Sequence, residues 1–212
     1  MFNTKKFNEI NDFLKKTSNP AKIVAISKNH PLESVLHAIN SGVRIFGENR
    51  VQEAQDKFQL IKQNNPNIKL HLTGPLQSRK VKTAIPLFDV FHTLDREKIA
   101  NEFSKNRHML NGKEIFIQVN TGEEDTKSGI IPKHLTAFIN FCRIDKKLNI
   151  VGLMCIPPIN DTPSVHFQML KNLANKNNLK QLSIGMSNDY KEAIEFSPSY
   201  IRLGTILFGT RN

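Results

Sequence analysis

The stretch Lys22–Ile26, KIVAI, runs directly into Ser27-Lys28-Asn29-His30 and then into a helix-competent segment at 31–40 that opens on Pro31. A short, nearly continuous apolar run reads as a strand buried on both faces, and a proline at a first turn reads as a helix start. Working outward, the same unit recurs. Strand-like runs follow at 43–46 (VRIF), 68–72 (IKLHL), 89–92 (DVFH), Glu114–Val119 (EIFIQV), 150–154 (IVGLM), 181–184 (QLSI) and Tyr200–Leu203 (YIRL). Helix-competent stretches lie between them at 50–63, 95–107 and 164–176, with start signals at Asp95, read as a cap, Pro132 and Ser164. Eight such units in 212 residues predict an α/β fold, a single (β/α)8 TIM barrel over 1–212. A doubly wound open sheet is the alternative, although no GxGxxG turn accompanies any unit. Phe2, Phe7, Ile10, Phe13 and Leu14 fall at helical spacing, so an extra N-terminal amphipathic helix is expected to pack on the barrel.

Composition narrows the class. Hydrophobic residues at 39% and charged residues at 23% are globular proportions and exclude a disordered or collagen-like chain. No apolar run reaches the roughly 18 residues a membrane helix needs, so no membrane partner is expected. Cys142 and Cys155 are too few and too far apart for a disulfide framework or a Cys-x-x-Cys clip, which suits a reducing compartment. The leading segment carries Glu9 and Asp12 and lacks the apolar core of a signal peptide, so a cytoplasmic location is expected. The net charge of +11 invites a nucleic-acid reading. Yet Lys and Arg are spread from Lys5 to Arg211 among acids, the densest group being only Arg79, Lys80 and Lys82. There is no zinc-finger spacing, no Trp and only two Tyr to stack bases. The charge reads as a solvated basic surface, with RNA association the lesser alternative.

Barrel sites sit at the C-terminal strand ends, so the residues after each run carry the chemistry. Side chains alternate along IVAISK, which puts Val24, Ile26 and Lys28 on one face; if that face is the interior, Lys28 emerges at the mouth. A partly desolvated amine near other cations has a lowered pKa and suits Schiff-base chemistry. The loops after strands seven and eight are the usual barrel phosphate site, and here they read Gly185-Met186-Ser187-Asn188-Asp189 and Gly204-Thr205. The Ser187 hydroxyl, backbone N–H groups and the start of a helix at Thr205 offer donors to an anion, and Gly204 permits close approach. Arg202, inside the last strand, needs a partner. A lysine, a phosphate cradle and that arginine together suggest pyridoxal 5′-phosphate (PLP), with Arg202 facing the pyridine nitrogen. An arginine stays protonated, so the ring nitrogen stays unprotonated and aminotransferase-type chemistry is disfavoured. His71 is a further candidate cofactor contact. Cys155 reads as core rather than nucleophile.

The blocks AISKNHP, FGENRVQEAQDK, HLTGPLQSRK, HTLDREKIA, QVNTGEEDTKSG, GLMCIPP, LSIGMSNDYKEAI and RLGTILFG resemble, in order, the signatures of the pyridoxal phosphate homeostasis proteins, a family similar in fold to the N-terminal barrel of alanine racemase. The resemblance implies that Lys28 carries the cofactor as a Schiff base and that Ser187, Gly204 and Thr205 hold its phosphate, with Met186 beside them. It also implies Arg202 near the ring nitrogen and Asn49 lining the pocket. Leu70, Arg79 and Tyr190 depart from the family's blocks, which places contacts at the pocket rim in question. The family binds PLP and keeps its cellular level balanced without an established reaction. The resemblance therefore implies a non-catalytic carrier or regulator of PLP; PLP-dependent apo-enzymes as partners and a monomeric state are further expectations. The alternative is a racemase-like enzyme. A racemase needs a second acid/base, which alanine racemase takes from an added domain; this chain stops eight residues after Gly204, and Tyr200 is expected far from the site.

Overall fold

In the computed structural model, which describes residues 1–210, eight parallel strands close into a barrel in sequential order. They are β1 (Lys22–Ile26), β2 (Ile45–Glu48), β3 (Lys69–Leu72), β4 (Val90–Leu94), β5 (Glu114–Val119), β6 (Ile150–Cys155), β7 (Gln181–Ser183) and β8 (Tyr200–Leu203). Around them run α1 (Thr4–Lys16), α2 (Leu32–Asn40), α3 (Val51–Asn64), α4 (Val81–Leu87), α5 (Glu97–Lys105), α6 (Leu135–Asn140), α7 (Pro163–Lys176), α8 (Tyr190–Ala193) and α9 (Thr205–Phe208). β1 pairs with both β2 and β8, so the sheet has no free edge and the open-sheet alternative falls.

Strand parity sorts the core into two layers. Val24, Ile26, Val90, Phe116, Met154 and Tyr200 form a cluster inside the barrel. Ile23, Ala25, Phe46, Leu70 and Leu72 belong to the larger cluster between strands and helices. Each fully buried side chain of this size is worth about 1.5–3 kcal/mol, so the outer layer carries most of the stability. The leading helix α1 is where the apolar spacing puts it. Asn3 caps it by accepting from the Lys6 N–H (2.9 Å), and Phe7, Ile10 and Leu14 are buried. Phe2 packs edge-on against Phe208 of α9 (5.2 Å between centroids).

Most local boundaries shift by one or two residues from the sequence reading, and three of the shifts have a clear local form. β2 starts and ends two residues later than 43–46, because Glu48 lies inside the fold as a paired charge rather than in a loop. Asp95 does not cap a helix: α5 begins at Glu97 with Arg96 in the cap position, and the Asp95 carboxylate pairs with the Arg96 guanidinium. α7 begins at Pro163, one residue before Ser164. Among the described residues no helix is long and apolar enough to cross a membrane.

Candidate functional site

The C-terminal strand ends surround a cavity of about 460 Å³. Lys28 reaches it from the turn after β1, Asn49 and Thr73 from the ends of β2 and β3, and residues 156–159 form an apolar wall after β6. Met186, Ser187, Asn188 and Asp189 line it from the loop after β7, and Arg202, Gly204 and Thr205 from β8 and the start of α9. Seven of the eight residues singled out in the sequence thus meet around one space.

His71 is not among them. It lines a separate cavity at the opposite, N-terminal end of the barrel, with Lys22, Asp89, Glu114 and Tyr200. The cause is the stagger of a tilted barrel. His71 is level with Gly47 of β2 on one side, but with Val90, the first residue of β4, on the other. Its ring lies edge-on to Tyr200 (4.9 Å), its Nδ1 lies 2.9 Å from His92 Nε2, and burial lowers its pKa to about 3. The placement gives His71 an interior role and no contact with the mouth.

The loop bearing Lys28 is held from outside the barrel. Asn29 takes a left-handed conformation (φ 60°), which asparagine tolerates. Its N–H donates to Glu53 Oε1 (2.5 Å) on α3. One helical turn on, Lys57 Nζ donates to the Ser27 carbonyl (2.7 Å) and pairs with Glu53 (2.9 Å) and Glu48 (2.6 Å). Ser27 Oγ donates to Glu48 Oε1 (2.7 Å). Glu48 is fully buried; burial pushes its carboxyl pKa up, and Lys57 and Ser27 only partly offset that. Its other oxygen, Oε2, has no hydrogen-bond partner among the described residues. Burial alone would also raise Glu53, but Lys57 and the Asn29 N–H hold it below the usual range. Asn49 is fixed by close backbone packing: a Cβ on Gly74 would come within 2.5–2.6 Å of the Asn49 backbone.

On the far side, Ser187 Oγ accepts from the N–H groups of Gly204 and Ile206, both at 3.3 Å. Two amides at the start of α9 therefore converge on one oxygen, the arrangement that an anion's oxygen takes. A Cβ on Gly204 would touch Ile26 at 3.4 Å, an ordinary contact, so this residue contributes its N–H rather than a close approach within the chain. The loop before it is pinned by Asp189, whose Oδ1 accepts from the Met186 N–H (2.5 Å).

Arg202 lies beneath, buried, paired in register with Val24. Nη1 donates to the carbonyl (2.6 Å) and hydroxyl (2.8 Å) of Ser183, and Nη2 to the Cys155 carbonyl (2.9 Å). Among the described residues no carboxylate lies within ion-pair distance of it. Burial lowers its pKa, yet a guanidinium holds its proton throughout the working range.

The remaining candidates fall away from the mouth. Burial pushes the Cys155 thiol up to about 12, which fits packing and not nucleophilic attack. Tyr200 opens β8 at the N-terminal end, near Glu114, and burial raises its hydroxyl to about 12. Leu70 packs outside the barrel, Arg79 is exposed beside Gln77, and Tyr190 is buried at the start of α8; none of the three lines the cavity. The sequence reading gave no role to Thr73, Asp189 or Glu192 on the cavity wall, and it missed the Glu48–Lys57–Glu53 clamp. The i, i+4 pairing of Glu53 and Lys57 was the available sign of the clamp.

Residues 6–212 match the family model described as alanine racemase, N-terminal domain. The pyridoxal phosphate homeostasis protein of Vibrio cholerae is 39% identical over 202 residues, covering 90% of this chain and 86% of that protein. That of Pasteurella multocida is 35% identical, over 93% and 90%. Among solved structures, PipY of Synechococcus elongatus with PLP bound superimposes with a TM-score of 0.84 at 30% identity, covering 97% of this chain and 99% of that one. Alanine racemase from Acinetobacter baumannii shares the fold at 16% identity and TM-score 0.76; this chain spans 61% of it. With its closed barrel and a lysine, a serine and an arginine meeting at the mouth, the chain belongs to the pyridoxal phosphate homeostasis protein family, built on the alanine racemase N-terminal domain.

Proposed function

We propose that this chain binds PLP in the mouth cavity through Lys28 and serves cofactor homeostasis as a carrier or regulator. The observation that carries the reading is the meeting of an amine, a two-amide anion corner and a buried arginine around one cavity of about 460 Å³, a volume ordinary for a cofactor site. The donor set fits the cofactor: Lys28 for its aldehyde, Ser187 with the Gly204 and Ile206 amides for its phosphate, and Arg202 for its ring nitrogen. When bound, PLP supplies an aldehyde that condenses with amines and a ring that withdraws electrons.

The chain's own groups set what such a site does. Lys57 and Glu53 hold the Lys28 loop from the outer side, so the amine is presented at a fixed height. Residues 156–159 give the cavity an apolar edge on one face. Arg202 keeps its protons and can only donate, so a ring nitrogen held against it would be an acceptor and would withdraw electrons weakly. Racemisation needs a second proton carrier opposite the lysine, and both tyrosines lie off the cavity. Handover to PLP-dependent apo-enzymes in the cytoplasm, by a monomer, completes the proposal.

The purified protein is expected to take up PLP with a visible absorbance band. Borohydride reduction and mass mapping are expected to place the modification on Lys28, and Lys28→Ala to abolish it. A protein that takes up no PLP, or is labelled elsewhere, overturns the reading. Interconversion of L- and D-alanine faster than free PLP achieves would favour the racemase alternative, which the shared fold keeps in play.

A further inference from the structure

Arg202 is the upper end of a line of hydrogen bonds that crosses the barrel interior. Below it, Ser183 Oγ lies 2.8 Å from His92 Nδ1, and His92 Nε2 lies 2.9 Å from His71 Nδ1. Ser183, His92 and His71 are all buried, and His71 borders the cavity at the N-terminal end.

The direction of every bond follows from the arginine. A guanidinium can only donate, so Ser183 Oγ accepts from Nη1. The hydroxyl proton then needs an acceptor of its own. Among the described residues the one within reach is His92 Nδ1, which must therefore carry no proton. A neutral imidazole with a bare Nδ1 carries its proton on Nε2, and that proton goes to His71 Nδ1. His71 is left as an Nε2–H tautomer at the border of the lower cavity. Reversing the line would strand the buried hydroxyl proton without an acceptor. Packing holds the rings in place: His92 stacks on Phe116 (4.8 Å, 9°), and Tyr200 meets both histidines edge-on.

We propose that Ser183, His92 and His71 are positioning residues for Arg202, a one-way hydrogen-bond line that fixes which of its N–H groups face the mouth. Three of the five guanidinium hydrogens are taken by Ser183 and the Cys155 carbonyl, which leaves Nε–H and one Nη2–H for a ligand. Two donors with fixed direction favour a flat aromatic ring carrying an unprotonated nitrogen over a protonated one, because a protonated nitrogen would set donor against donor. The identity of that ring as PLP rests on the reading above; the line itself does not.

The test is therefore made first without cofactor. Long-range ¹H–¹⁵N correlation spectra of the labelled ligand-free protein at neutral pH are expected to show His71 and His92 each as a single, neutral Nε2–H tautomer. Ser183→Ala is expected to leave His92 as a mixture of tautomers. His92→Phe keeps a ring on Phe116 and is expected to release the preference of His71. In PLP titrations both variants are expected to bind about tenfold more weakly, the scale of one charge-assisted hydrogen bond, while borohydride still fixes the cofactor to Lys28. An Nδ1–H or doubly protonated His92 in the parent protein overturns the proposal, as does a Ser183→Ala variant with unchanged tautomer and unchanged PLP affinity. Failure of the parent protein to bind PLP would sink the functional reading, and the tautomers would still decide the line.

Discussion

Lowering the pH from 7.5 to 5 is expected to destabilise the fold through His71 and His92 in particular. Burial depresses both, His71 to about 3 and His92 well below the ordinary value, and the Arg202 charge adds to the effect on His92. In the folded state His71 stays neutral at pH 5 and His92 resists protonation, whereas in the unfolded chain each titrates near 6.5. The unfolded state therefore binds more protons, so stability falls as the pH drops through 6.5 and goes on falling until the folded-state pKa is reached. Between 6.5 and 5 the slope of about 1.36 kcal/mol per pH unit gives about 2 kcal/mol for His71, and His92 acts in the same direction. Glu48 and Asp95 work the other way: burial raises both carboxyls, so acidification favours their folded forms and trims the net loss. Variants isolate the histidine part. Urea unfolding of the parent protein and of His71→Leu at the two pH values is expected to show a pH-driven loss about 2 kcal/mol smaller in the variant, whatever the substitution costs at pH 7.5. Equal losses in the two proteins would refute the claim that His71 is held neutral.

Lys57→Met leaves Glu48 buried without its cation and frees the Ser27 carbonyl; a loss of about 3–5 kcal/mol is expected by denaturant melts. Because the folded pKa of Glu48 is raised, its protonated form is the favoured one, so the deficit should be larger at pH 8 than at pH 5; a deficit independent of pH counts against the clamp. Borohydride labelling of Lys28 in the same variant should be slowed, since its loop loses the Lys57 bonds to the Ser27 and His30 carbonyls. Cys142 and Cys155, both buried with thiols near 12, should react with an aromatic disulfide reagent only on unfolding. Rapid labelling of the native protein would show that the packing around β6 is wrong.

The barrel was legible because each strand of a closed parallel sheet is buried on both faces and so stands out as an apolar run. Its mouth was legible because that topology sends every strand's C-terminal end to one side, which is why Lys28, Asn49, Ser187 and Gly204 meet although they lie far apart in the chain. Height within the barrel was not legible. His71 closes an apparent strand, as Lys28 nearly does, but the stagger between β3 and β4 lowers it to the level of Val90. Glu48 misled for a different reason. A glycine and an acid after VRIF read as a loop, while the cation that makes this acid tolerable inside the fold comes from nine residues further on. Pairings across elements of this kind leave no local trace, and neither does the His92–Ser183 contact, which spans 91 positions.

Arg202 has a consequence for abundance as well as for binding. Its charge sits inside the barrel with only neutral acceptors around it, so part of the cost of burying it is met only when an anionic or electron-rich ligand arrives above. A ligand that binds the folded chain alone adds about 2.7 kcal/mol at a hundredfold excess over its dissociation constant. For a domain of ordinary marginal stability that is a large share of the total, enough to change how much of the chain survives quality control. The amount of folded protein is then expected to rise and fall with the supply of its ligand, by mass action alone.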